Sequence, residues 1–152
     1  MHATTPAPQR LTGNFVLLKA DALHLLLPQE DLGAAEYLEG TPRASGQPGW
    51  FEIDGQGDRA PRLVAALSAA MEPLPALPAG RFLLTGLAAQ DGVALCWNEV
   101  KVLIDVELET HELPPVLLPP DAPLRRFVEF DDGPAFCCSG QGLLAYAFAQ
   151  RM

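Results

Sequence analysis

Three acidic residues alternate along one stretch of the sequence and could bind a cation. Asp105, Glu107 and Glu109 are two positions apart, and Glu112 follows closely. Alternate residues of a β-strand project from the same face, so these carboxylates would lie side by side. Calcium sites usually also need backbone carbonyls in a tight loop. We therefore interpret the three residues as a solvated strand face that could meet a basic partner, and we predict no metal site.

Residues suited to nucleophilic or zinc chemistry are scattered through the chain. The histidines lie far apart and match no zinc-binding spacing: His2, His24 and His111. No serine occupies a Gly-x-Ser-x-Gly elbow, and Cys137-Cys138 has no motif partner. Gly55-Gln56-Gly57 begins like a dinucleotide fingerprint but lacks its third glycine. We predict that the protein is not an enzyme and binds no cofactor.

Charge and composition narrow the class of partner. The chain has 152 residues, of which 19 are acidic and 10 basic, and its formal net charge is -9. A nucleic-acid ligand would require clustered Lys and Arg, so we exclude it. Hydrophobic residues make up 49% of the chain, enough to bury the core of one domain or of two small subdomains.

The apolar stretches, the N-terminal residues and the cysteines indicate the cellular compartment of the protein and the redox state of its thiols. No stretch of about 18 uninterrupted apolar residues is present, and Met1 to Arg10 lack the order of a secretory signal. We predict a cytoplasmic protein with no membrane insertion. Three cysteines, an odd number, then argue against a disulfide framework. Cys137 and Cys138 would point to opposite faces of a strand, so at most one would be deeply buried.

The strongest strand signal runs from Lys101 to Glu109. The even positions are all apolar, which is the period of two that predicts a half-buried strand. These predicted core residues are Val102, Ile104, Val106 and Leu108. Asp91-Gly92 suits a tight hairpin turn, which would join a strand at Phe82–Leu87 to another at Val93–Trp97.

A weaker copy of this unit lies near the N-terminus. Phe15–Leu18 and Leu23–Leu27 form a second predicted hairpin, and a helical turn at Gln29–Leu32 leads to a strand at Ala34–Leu38. The order of strand, hairpin, strand, acidic turn and strand repeats at an offset of about 67 or 68 residues. The repeat predicts two similar small β units.

Prolines and glycines divide the rest of the chain into short elements. We predict a flexible tail over residues 1–12, and a single domain over 13–152 whose two intertwined subdomains cover roughly 13–78 and 79–152. Pro61–Met71 fits either a helix or, as far as Leu67, a strand. A C-terminal hairpin is predicted over Asp131-Asp132-Gly133, followed by a helix at Gln141–Gln150 that Ser139 caps.

Several segments together match a known pattern. Phe15–Leu18 and Leu25–Leu32 are similar to the first strands and acidic turn of the CheW-like domain, the adaptor fold of bacterial chemosensory arrays. Gly49–Gly55 has the spacing of that family's Gly-hydrophobic-hydrophobic-Asn-hydrophobic-Arg-Gly segment, and Ala94–Val100 resembles its Gly-Leu-x-Val-Asp-x-Val segment. The match spans most of Asn14 to Phe148. It implies a mainly β fold with two small five-stranded β-barrel subdomains and short helices.

The resemblance implies a non-enzymatic adaptor of a chemosensory signalling complex. Family members use barrel surfaces to join a histidine kinase to chemoreceptors, so both would be protein partners. The candidate partner-binding residues come from the most recognisable segment: Trp50, Phe51, Ile53, Asp54 and Gly55. Asp54 stands where the family usually carries arginine, and Asn98 stands where it carries aspartate. These departures indicate a diverged member.

Two other functions fit parts of the pattern. A small-ligand-binding β-barrel would place Trp50 and Trp97 in a cavity lined by apolar strands. A hydrolase would use a site on Ser139 or Cys138 that no motif reveals. Trp50 and Phe51 also fit two structural interpretations, as core residues or as anchors for a partner.

Overall fold

The computed structural model describes residues 9–38, 41–54, 61–88, 90–114 and 122–149, and it is mainly β. A 3-10 turn (Gln29–Asp31) follows the second strand, and helix α1 (Gly140–Ala149) follows the last. No helix within these residues is long and apolar enough to span a membrane. The strands are β1 (Gln9–Ala20), β2 (Leu23–Pro28), β3 (Leu32–Tyr37), β4 (Arg43–Ala44), β5 (Trp50–Ile53), β6 (Arg62–Ala65), β7 (Leu83–Leu87), β8 (Gln90–Trp97), β9 (Glu99–Glu112), β10 (Arg126–Phe130) and β11 (Gly133–Cys137).

The strands form a closed five-stranded barrel and a second, six-stranded sheet. The barrel order is β1-β2-β11-β10-β9, and β9 pairs back with β1. The second sheet has the order β3-β7-β8-β6-β5-β4. Five strands of the second sheet are arranged like the five strands of the barrel. Their order in the sheet is β3-β7-β8-β6-β5, and the corresponding order in the barrel is β9-β1-β2-β11-β10. In both sets the β2–β11 or β8–β6 pair is parallel and the other pairs are antiparallel.

The two sheets differ in how they close. Strand β9 pairs with β10 at His111 and Glu112, which completes the barrel. Within the described residues no backbone pairing joins β3 to β5. The side chains of Glu36 on β3 and Arg62 on β6 form an ion pair instead, and both are about one quarter exposed. Strand β3 therefore remains an edge of the second sheet.

Each sheet contains strands from both sides of residue 78, the approximate boundary between the predicted intertwined subdomains. The barrel combines β1 and β2 with β9 to β11, because the third strand of each repeat crosses to the other sheet. Of the predicted tail over residues 1–12, the structure describes residues 9–12. Gln9 to Thr12 belong to β1 and pair with Glu107 to Thr110, so strand order begins before Asn14. Residues 1–8 lie outside the described residues.

A β-bulge interrupts the predicted alternation of β9. Gly13 pairs with Val106 and Phe15 pairs with Leu103, so Asn14 lies opposite two residues of β9. Asp105 adopts a φ of 49°, and its N–H donates a hydrogen bond to Asn14 Oδ1 at 2.8 Å. One extra residue moves every later side chain to the other face of a strand.

The prediction that Val102, Ile104, Val106 and Leu108 share one buried face is therefore wrong. Val102 is 48% exposed and Ile104 is 58% exposed. Before the bulge, Leu103 packs against the barrel core; after it, Val106 and Leu108 do so. The bulge is thus the reason that half of the predicted face lies in solvent.

The hairpin between β7 and β8 also differs from its prediction. Gln90 already pairs with Leu87, so the chain reverses before Asp91-Gly92. The pairing register shifts between Gly86 and Leu87, and Gly92 adopts a φ of 78° within β8. The positive φ that glycine tolerates is therefore used at an irregularity inside β8 and not at the turn.

Other local predictions are confirmed. The first hairpin turns at Asp21-Ala22, and the last turns at Asp131-Asp132. Pro61–Met71, which fitted helix or strand, contains strand β6. The N–H of Gly142 donates to Ser139 Oγ at 2.9 Å, which caps α1 as predicted.

The largest buried cluster lies where the barrel, the second sheet and the helix meet. It joins Leu18 and Leu25 of the barrel to Trp50 and Leu95 of the second sheet and to Leu143 of α1. Separate clusters fill the barrel and the second sheet. Apolar residues from both ends of the chain therefore form a common core.

Candidate functional site

The aromatic residues of the predicted partner-binding segment lie in the core. Trp50, Phe51 and Ile53 are all less than a tenth exposed. The indole Nε1–H of Trp50 donates to the carbonyl of Ala147 at 3.3 Å, and its ring stacks on Phe148 with centroids 4.8 Å apart. Their side chains are not available to a partner in this fold. The core interpretation of Trp50 and Phe51 is the correct one.

The two polar positions of that segment have different outcomes. Asp54 is exposed, and its Oδ1 accepts a hydrogen bond from Arg43 Nη2 at 2.7 Å. The same guanidinium lies 3.7 Å from Glu52 Oε2. Asp54 thus belongs to a small surface network of charges that a partner could reach. Gly55 lies outside the described residues.

Trp97 does not line a ligand cavity either. It is 3% exposed, and its Nε1–H donates to Thr85 Oγ1 at 2.7 Å. A buried indole normally finds such a partner. Trp50 and Trp97 both belong to the buried core, so their position gives no support to a ligand between them.

The side chain of Asn98 binds two segments of the backbone. Its Oδ1 accepts the N–H of Asp21 at 2.5 Å, and its Nδ2 donates to the carbonyl of Gly80 at 2.9 Å. Its own N–H donates to the carbonyl of Lys19 at 2.7 Å. Asn98 therefore links the first hairpin of the barrel to the entry of β7.

The three cysteines are free thiols; Cys96 and Cys138 are buried and Cys137 is partly buried. Burial raises the pKa of Cys96 to about 11 and that of Cys137 to about 11. Burial also raises the pKa of Cys138. Cys138 packs in the common core while Cys137 packs toward the barrel interior, which confirms that they face opposite ways. Thiols that hold their protons are weak nucleophiles.

The acidic residues of β9 do not form a compact site. Asp105 lies at the bulge, and Glu107 forms an ion pair with Arg10, whose side chain is 74% exposed. Among the described residues no group of three or more His, Cys, Asp and Glu side chains could hold a metal ion. The strand presents these carboxylates to solvent, where a basic partner could meet them.

An exposed aromatic pair lies at the β3 edge, where no motif predicted it. Tyr37 is 70% exposed and Phe82 is 44% exposed. Their rings stack with an interplanar angle of 6° and centroids 6.0 Å apart. Tyr37 ends β3, and the N–H of Leu38 donates to the carbonyl of Phe82 at 2.7 Å. The backbone pairing therefore places the two rings together.

The contact between Tyr37 and Phe82 could not be predicted from the sequence, because the two residues are far apart in the chain. The sequence predicts Phe82 at the start of one strand and Tyr37 within another, Ala34–Leu38, and no motif links the two. An isolated exposed aromatic residue needs no explanation, but two stacked rings beside β3, a terminal strand in the order of the second sheet, form a surface suited to protein contact. This is the candidate functional surface of the molecule: Tyr37, Phe82 and the edge of β3.

Comparison with models of known protein families gave no match, and comparison with curated proteins gave none either.

Proposed function

We propose that the protein is a non-enzymatic adaptor of a chemosensory signalling complex, with the arrangement of a CheW-like domain. In this proposal the second sheet is a barrel-like counterpart of the closed barrel. The repeated strand order supports it, since each set contains an antiparallel hairpin, a parallel pair and a strand supplied by the other half of the chain. The segments that resemble the family overlap the repeated strands β1, β2, β5 and β8.

The observation that carries a protein-binding role is the Tyr37–Phe82 pair on the β3 edge. Aromatic residues are enriched in the energetic centres of protein interfaces, because a rigid ring buries a large area at a low entropic cost. An edge strand also offers unpaired backbone groups to an extended segment of a partner. The two features lie together, so one partner can use both.

The first partner to test is the CheW-like regulatory domain of a chemosensory histidine kinase, with a chemoreceptor as the second. The adaptor would act by proximity, holding the two partners together without a chemical step. Asp54 belongs to an exposed charge network on the same sheet as the aromatic pair, so it provides a second place at which a partner could be recognised.

The experiment is a titration of the purified kinase regulatory domain from the same genome. We expect binding, and we expect Tyr37→Ala and Phe82→Ala each to weaken it by at least about tenfold, the effect of a typical interface hot spot. Val102→Ala and Ile104→Ala are matched controls, because they also truncate exposed apolar residues but lie on the barrel. No binding to any such domain, or equal losses in all four variants, would contradict the proposal.

A further inference from the structure

The chain contains only two lysines, Lys19 and Lys101, and both line the same cavity. The cavity lies at one end of the barrel and has a volume of about 280 Å³. Both lysines of a protein with a net charge of -9 therefore meet at one opening. Exposed lysines are usually dispersed over an acidic surface for solubility.

Strand pairing explains how the two lysines come together. Lys19 lies opposite His24 on one side and Glu99 on the other, while Lys101 lies opposite Leu17. Directly paired residues project from the same face of a sheet, so Lys101 shares a row with Leu17, and the next row on that face is a polar row of His24, Lys19 and Glu99. Leu17 packs against the barrel core. The polar row therefore lies at the mouth of the barrel.

The mouth carries charges of both signs. Lys19 Nζ lies 3.6 Å from Glu99 Oε2, so this pair is partly neutralised. Asp131 and Asp132, in the turn between β10 and β11, also line the cavity. Among the described residues these two aspartates and Lys101 form no ion pair, although all three border the same space. Free charges of opposite sign thus remain on the rim.

The rest of the lining is apolar or buried. Leu17, Leu103 and Phe130 supply an apolar wall. His24 also lines the cavity and is only 6% exposed, and its Nδ1 has no hydrogen-bond partner among the described residues. Buried polar atoms are normally satisfied, and sites that bind small molecules often contain the exceptions.

We propose that the barrel mouth binds a free amino acid with an apolar side chain. The carboxylate would face Lys101, the ammonium group would face Asp131 and Asp132, and the side chain would pack against Leu17, Leu103 and Phe130. A simple polyanion is disfavoured because the cavity has three carboxylates and two lysines. A volume of about 280 Å³ suits a small metabolite. The site is separate from the β3 edge, so this inference does not depend on the adaptor function.

The two lysines provide a direct readout of occupancy. Reductive methylation with carbon-13 formaldehyde keeps their charge and gives each lysine an NMR signal, alongside that of the terminal amine. We expect L-leucine, titrated into the millimolar range, to shift the Lys101 signal saturably and to leave the terminal amine unchanged. Isocaproate lacks the ammonium group and isoamylamine lacks the carboxylate, so each should bind at least about tenfold more weakly.

Substitutions at the mouth test the assignment of the charges. Lys101→Met keeps the aliphatic stem and should weaken leucine binding at least about tenfold. The paired change Asp131→Asn with Asp132→Asn should do the same, whereas Arg10→Met, which removes an exposed cation elsewhere, should leave binding unchanged. The proposal is overturned if leucine shifts neither lysine signal, if either analogue binds as tightly as leucine, or if Lys101→Met binds normally.

Discussion

At the scale of single residues, the most unusual side chain is Arg81. It has no exposed surface, and its Nη2 donates to Asp21 Oδ2 at 2.9 Å. Its Nε and Nη1 have no hydrogen-bond partner among the described residues. Asp21 belongs to the first turn of the barrel, while Arg81 precedes β7 of the second sheet. The pair therefore connects the two sheets through a buried charge, which is costly if its partner is lost.

We expect Asp21→Asn to lower the free energy of unfolding by about 2 kcal/mol. Breaking a fully buried pair costs roughly 3–5 kcal/mol, but water screens a side chain that is half exposed, as Asp21 is. Asparagine tolerates the φ of 54° at this position, so the change removes charge with little backbone strain. Urea unfolding measures the difference.

The matched control is Asp54→Asn, which breaks the exposed pair with Arg43 and should cost less than about 1 kcal/mol. Adding Arg81→Met to Asp21→Asn should restore part of the stability, because no unpaired charge then remains in the interior. A double variant less stable than Asp21→Asn would show that Arg81 acts through packing and not through its charge.

The raised pKa values of the buried thiols predict that the free energy of unfolding changes with pH in the alkaline range. Unfolded cysteines ionise near their ordinary pKa of 9.0, whereas Cys96 and Cys137 keep their protons in the fold up to about 11. Between these values the folded state binds more protons, so stability falls as the pH rises, by up to about 1.4 kcal/mol per pH unit for each thiol. Urea unfolding at several pH values should show this slope. It should become smaller in Cys137→Ala, and an unchanged slope would refute the assignment.

At the scale of elements, the bulge in β9 decides which side chains the barrel presents. Side chains of β9 alternate between the core and the solvent on each side of Asp105. The extra residue at the bulge exchanges the core-facing and solvent-facing positions. The sequence does not reveal the bulge, because Asp105 continues the alternation of apolar and charged residues up to Glu109 without a break. The register of β1, and Asn14 in particular, determines where the bulge lies.

The positive φ of Asp105 makes the bulge testable. Glycine adopts a φ of 49° without strain, so Asp105→Gly should raise the free energy of unfolding by up to about 1 kcal/mol. Asp105→Val should lower it by roughly 1–2 kcal/mol, because a branched side chain is strained in this region. Thermal or urea unfolding separates the two variants. Equal stabilities would mean that the bulge relaxes to another register.

At the scale of the whole molecule, the sheets exchange strands. Strand β3 follows the β1–β2 hairpin in the chain but pairs in the second sheet. Strand β9 follows the β7–β8 hairpin but pairs in the barrel. The predicted repeat is visible in this exchange. Trp50 and Trp97 belong to the common core and are buried, whereas Tyr37 and Phe82 lie outside it and stay exposed.

A reversal of charge at Asp54 tests the adaptor proposal. Asp54→Arg should restore the sign that the family usually carries, and we expect it to change the affinity for the kinase regulatory domain at least severalfold. Its effect on stability should stay within about 1 kcal/mol, because the Arg43 pair is exposed. Glu112→Arg makes the same change in net charge on the barrel. Identical shifts in the two variants would mean that overall charge and not this segment governs binding.

Local patterns in the sequence by themselves determined the mainly β character, most strands, the first and last hairpins and the Ser139 cap. These features depend on residues close together in the chain, whose spacing and backbone preferences are visible without a fold. Tertiary structure alone decided the barrel closure, the bulge opposite Asn14, the burial of Trp50 and the meeting of Lys19 with Lys101. Each of these depends on pairing between distant strands, and the free energy that selects one register over another comes from burying a shared core.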